Sequence, residues 1–129
     1  MTTAYAARAR YANEAVTTAS PAKLLLMLYD RLVRDLVTAE QCLADRDLGR
    51  ASSELVHAQE IVSELHTSLD QTAWDGAAGL AALYVFVRAE LVTANLRKDA
   101  ARVASVRSLV EPLRDAWRQA ALQSVSQSA

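Results

Sequence analysis

Apolar residues recur along this chain at alternating steps of three and four, in four separate runs. The first holds Leu25, Leu28, Leu32, Leu36, Ala39 and Leu43, and the second holds Leu55, Ala58, Val62, Leu65 and Leu69. The third holds Leu80, Leu83, Tyr84, Val87, Leu91 and Ala94, and the fourth Val103, Val106, Val110, Leu113 and Trp117. At about 100° per residue such steps stay on one side of an α-helix, so each run predicts one helix with a core-facing stripe. Punctuation falls where these helices must end. Ser20-Pro21 joins a side-chain cap to a proline whose missing N–H costs nothing at the first helical position. Asp45-Arg46-Asp47-Leu48-Gly49 breaks the pattern, Asp70-Gln71-Thr72 forms a polar connection, and Asp99 is placed to cap the fourth helix. Pro112 lies inside the fourth run, where it deletes a hydrogen bond and clashes with the preceding turn, so a kink is expected there.

Four helices of roughly 20 to 25 residues with short connections predict antiparallel neighbours. The expected fold is all-α: an antiparallel up-down four-helix bundle with a flexible N-terminal arm and a kinked last helix. Residues 1–19 hold only isolated large apolar groups, Tyr5, Tyr11 and Val16, and read as a mobile arm. Residues 20–124 form the bundle domain, and the Ser/Gln-rich residues 125–129 read as a disordered tail.

Composition narrows the function classes. In 129 residues there are 14 basic and 15 acidic side chains, so no broad positive field draws in a phosphate backbone, and neither nucleic acid nor an anionic membrane surface is an expected partner. The longest uncharged, mostly apolar stretch, residues 76–87, is well short of the roughly 20 residues that cross a bilayer. A lone Cys42 cannot form an internal disulfide and the first residues lack the apolar core of a signal peptide, which together suit a cytoplasmic protein.

The third helix carries the most functional information. An outer helix of a bundle needs one buried stripe and a charged opposite face. Here the core stripe takes Leu80, Tyr84, Val87 and Leu91, while Ala81, Ala82, Val85, Phe86, Ala89, Val92 and Leu96 fall on the far side, with only Arg88 and Glu90 at the boundary. Surplus apolar surface of this kind marks a partner site, and a partner helix is its natural filler. The competing reading is a centrally placed helix covered by the arm or by a neighbour. Both hold if an arm bearing Tyr11 and Val16 occupies the groove until a ligand displaces it.

Candidate chemistry is sparse. Glu54-Leu55-Val56-His57 has the Glu-x-x-His spacing of a ferritin-like di-metal bundle, but such a site needs a second copy, and His66 is preceded by Ser63 where the glutamate would stand. No metal and no other cofactor is expected. Cys42 lacks a recognisable base or oxyanion hole and reads as a small buried residue, and there is no glycine-rich phosphate loop. No reaction is expected of this chain.

A family resemblance rests on ordered segments. Tyr11 and Val16, Thr18 to Pro21, Lys23-Leu24-Leu25-Leu26-Met27-Leu28-Tyr29-Asp30, Ala58 to Leu65, Leu69-Asp70, Leu83-Tyr84, Ala94-Asn95-Leu96 and Leu113 to Trp117 resemble, in order and spacing, the flagellar secretion chaperones called FliS. The resemblance runs from about Tyr11 to Trp117. The chain departs from the family pattern at Arg31, where glycine is common, and at Trp74-Asp75-Gly76 and Gly79 before the third helix. What the resemblance implies is a cytoplasmic chaperone that binds the C-terminal segment of flagellin, prevents premature polymerisation and delivers it to the flagellar export apparatus. The groove is expected between helices two and three with the arm, using Tyr11, Val16, Ile61, Leu65, Val85, Phe86, Val92 and Leu96, with Asn95 as a polar anchor. The free protein is expected to be a monomer with at most weak self-association. The alternative is a structural or oligomerising bundle that binds another amphipathic helix.

Overall fold

The computed structural model describes residues 21–128, with side chains through Gln123. It contains four helices, α1 (Pro21–Ala44), α2 (Leu48–Ser68), α3 (Ala77–Arg97) and α4 (Ala100–Ser128), and no strand among the described residues. The first connection is shorter than the sequence pattern implies, because Leu48 and Gly49 already belong to α2. Arg46 closes α1 in the left-handed region, φ 59°, letting the Asp47 N–H donate to the Cys42 carbonyl at 2.8 Å. Lys98, φ 54°, closes α3 the same way, and the Asp99 N–H donates to the Ala94 carbonyl. Asp99 then caps α4 by accepting the Arg102 N–H at 3.1 Å. Past Ser124, where the apolar pattern fades, α4 continues to Ser128.

Helix α1 packs against α2 and α4, and α3 packs against the same two; across the diagonal, Tyr29 of α1 and Tyr84 of α3 meet through their side chains in the core. The shared core is built from Tyr29, Leu32 and Leu36 of α1, Leu55, Val62 and Leu65 of α2, Tyr84, Val87 and Leu91 of α3, and Val103, Val106 and Val110 of α4. Each of the leucines contributes about 1.5–3 kcal/mol by leaving water, which is the main force joining the four stripes. One stripe is rotated from its expected position. Ala81, placed on the far side of α3 by the spacing, is buried, whereas Leu80 lies at the core edge. The small Ala77, Ala81 and Ala94 let α3 approach its neighbours closely.

Polar links cross the bundle at its edges. Arg107 of α4 holds Glu40 of α1 and Glu111 of its own helix, and Arg102 holds Glu90 of α3. Asp35 is the one charged side chain buried among the described residues. Its carboxylate accepts from Arg31 Nε at 2.9 Å and meets Nδ1 of His57 from α2. His57, the histidine of the Glu-x-x-His spacing, therefore spends its inner ring nitrogen on pinning α2 to α1.

Candidate functional site

The outward side of α3 is apolar along its length. Val85 is 59% exposed, Phe86 51%, Val92 36% and Leu96 79%, with exposed Ala82 and Ala89 between them. The helix has almost no amphipathic asymmetry, in contrast to α1, because apolar residues occupy its inner and outer sides alike. Its length and apolarity would also suit a bilayer, yet Arg88 and Glu90 stand mid-helix and one whole side is locked into the core. A face of this kind on a bundle helix is a packing surface that the described residues leave open.

Two shallow depressions flank it. On the α2 side, Val85 and Arg88 meet Val62, Ser63, His66 and Thr67 around a space of ≈ 260 Å³. On the α4 side, Phe86 and Glu90 meet Arg102, Ser105 and Leu109 around ≈ 490 Å³. The expected groove residues are thus divided. Val85 belongs to the α2–α3 depression and Phe86 to the α3–α4 depression, with the crest of α3 between them. Ile61 and Leu65, expected to form the opposite wall, are 6% and 2% exposed and sit in the core. Asn95 is already engaged, donating to Ser52 Oγ at 3.2 Å and accepting from Lys98 Nζ at 3.0 Å. Tyr11 and Val16 lie outside the described residues.

A second feature was not anticipated from the spacing. At the end of the bundle where α1 begins and α2 gives way to α3, Leu24, Leu28, Leu69, Leu80, Trp74 and Trp117 surround a cavity of ≈ 340 Å³. Tyr84 reaches its floor, where its hydroxyl shares a 2.6 Å hydrogen bond with that of Tyr29. Burial pushes both phenols above their ordinary range. Trp117 stacks at a tilt on Tyr29, ring centroids 6.4 Å apart, and its indole N–H is buried without a hydrogen-bond partner among the described residues. Trp74 lies over Gly76, where a Cβ would collide with the indole ring. The clue available in the sequence was Trp74 itself, a large aromatic in a polar connection.

None of these surfaces brings together a nucleophile, a base and an oxyanion site, and Cys42 is buried in the core. Fold and site together define a helical binding module with an open apolar face. The family profile described as "FliS: Flagellar protein FliS" matches residues 2–124. The chain is 34% identical over 110 residues to the flagellar secretion chaperone FliS of Bacillus subtilis (strain 168), covering 85% of this chain and 82% of the relative. It is 33% identical over 112 residues to the protein of the same name from Escherichia coli (strain K12), covering 85% and 82%. It is 34% identical over 109 residues to that of Salmonella typhimurium (strain LT2), covering 83% and 81%. The chain belongs to the FliS family of flagellar secretion chaperones, a chaperone family and not an enzyme family.

Proposed function

We infer that this protein is a cytoplasmic chaperone that holds the C-terminal segment of flagellin, keeps it from polymerising early and hands it to the flagellar export apparatus. The observation that carries this reading is the unfilled apolar side of α3. A flagellin segment that will later bury an apolar stripe in the filament must hide it beforehand, and a helix-binding face does so without a chemical step. Such a segment pays its ordering entropy on binding, which lowers net affinity and leaves the complex releasable.

The contact residues follow from exposure. Val85, Phe86, Val92 and Leu96 present the apolar surface, and Asn95 marks its polar end. Ile61 and Leu65 would act from behind, by setting how α2 supports α3, and Tyr11 and Val16 would extend the surface from the N-terminal arm. The short connections and the neighbour pattern support the antiparallel up-down arrangement within a 20–124 domain, with a bend at Pro112. Titrating the protein calorimetrically with the C-terminal segment of its own organism's flagellin tests the reading. One-to-one binding accompanied by a gain in helical circular dichroism is expected; no heat and no added helicity at high concentration would overturn it.

A further inference from the structure

The cavity at the end of the bundle has mostly apolar walls, yet one polar need among them stays unmet. Tyr29 and Tyr84 share a single hydrogen bond, and the Trp117 indole N–H is buried with no partner among the described residues. These three side chains carry three donor hydrogens, two phenolic and one indole, and only two acceptor oxygens. The two hydroxyls cannot donate to each other at once, so every arrangement of the three leaves at least one donor over. A buried donor without an acceptor is costly, and folded interiors hold few of them. Tyr29 is fully buried, whereas Tyr84 and Trp117 both line the cavity. An acceptor placed in the cavity removes the deficit: Tyr29 donates to Tyr84, and Tyr84 donates to the newcomer.

The rest of the wall decides what that acceptor is attached to. Leu24, Leu28, Leu69 and Leu80 supply aliphatic sides and Trp74 a flat aromatic one, around ≈ 340 Å³. A space of this size and lining takes a small ring compound. No Lys, Arg or His stands among the described lining residues, and the two charged ones, Glu64 and Asp70, are exposed carboxylates. An anion is repelled there and finds no cation to pair with. We propose that this cavity is a binding site for a small uncharged ring compound bearing one hydrogen-bond acceptor, of the aryl ketone kind, with its ring against Trp74 and the leucines and its acceptor on the Tyr84 hydroxyl. Val85, Phe86, Val92 and Leu96 of the outer side of α3 do not line it.

Three probes of nearly one shape separate the contributions: acetophenone, α-methylstyrene, in which a methylene replaces the carbonyl oxygen, and benzoate, which is charged. Each is titrated into the full chain while backbone amide and indole N–H resonances are followed by NMR. Acetophenone should bind saturably with a Kd of about 0.1–1 mM, shifting both indole signals and the amides of Leu28, Leu69 and Leu80 while leaving those of Val92 and Leu96 in place. The hydrocarbon should bind about fivefold more weakly, having no acceptor for Tyr84, and benzoate should not bind. Tyr84→Phe should bring acetophenone down to the affinity of α-methylstyrene and leave the latter unchanged. Leu24→Trp, which fills the space without touching the hydroxyls, should abolish binding of both. Absence of saturable shifts with acetophenone, equal affinity of ketone and hydrocarbon in the wild type, or shifts confined to Val92 and Leu96 would each overturn the proposal. No client enters these titrations, so their failure and that of the flagellin-holding reading are told apart.

Discussion

Tyr29 and Tyr84 share one 2.6 Å hydrogen bond inside the core, and burial holds both phenols above their ordinary value of 10.0. In the unfolded chain they titrate near that value, so the folded state is favoured while both stay protonated. Their contribution is complete below about pH 10 and is lost as pH rises above it toward the folded values. Urea unfolding should therefore show stability falling above about pH 10, and Tyr84→Phe should flatten that fall while costing about 1–2 kcal/mol at about pH 8. Equal alkaline slopes in the two proteins would contradict the assignment. Asp35 sets a second residue-scale test. His57→Ala leaves the buried carboxylate with only the half-exposed Arg31, and a loss of about 1–3 kcal/mol is expected in denaturant unfolding. His66→Ala, which removes no such partner, should stay within about 0.5 kcal/mol. Asp35 could not be recognised in the sequence, because an acid inside an apolar stripe is interpretable only with its partner, and His57 is on another helix.

The corner between α2 and α3 is where element-level behaviour is decided. Asp70 turns the chain by accepting both the N–H and the hydroxyl of Thr72, and Trp74 folds back over Gly76. Gly76 is already in a right-handed conformation, φ −80°, so alanine fits its backbone but not the space beneath the indole. Gly76→Ala should leave overall stability nearly constant while expelling Trp74, seen as a red shift of tryptophan emission; unchanged emission would mean the ring does not rest there. Gly79 has open space around the position of a Cβ, and Gly79→Ala should stabilise α3 by about 0.5–1 kcal/mol in thermal unfolding. The four helices were legible because each buries one stripe, yet the rotation of α3 was misjudged at Leu80 and Ala81. A helix that is apolar on both sides lacks the contrast from which rotation is read. The end cavity escaped for a different reason: its walls come from all four helices, and no linear spacing connects Leu24 to Trp117.

At the scale of the whole molecule, the bundle completes its core with one side of α3, and no described residue covers the other. The far face was legible from Val85, Phe86, Val92 and Leu96, since the missing charges are a property of the sequence itself. The division of that face into two flanking depressions was not, because it depends on where α2 and α4 pass. That Ile61 and Leu65 are buried could not be read for the same reason: apolar residues on adjacent turns of α2 do not reveal which neighbour covers them. The central claim is that the exposed side of α3 holds the client while the inner side holds the fold. The most direct measurement compares calorimetric titrations of the flagellin C-terminal segment into wild type, Val85→Asp and Phe86→Asp, with circular dichroism of each free protein. Loss of about 2 kcal/mol or more of binding with helicity unchanged is the predicted result for both variants; wild-type affinity in both would contradict it.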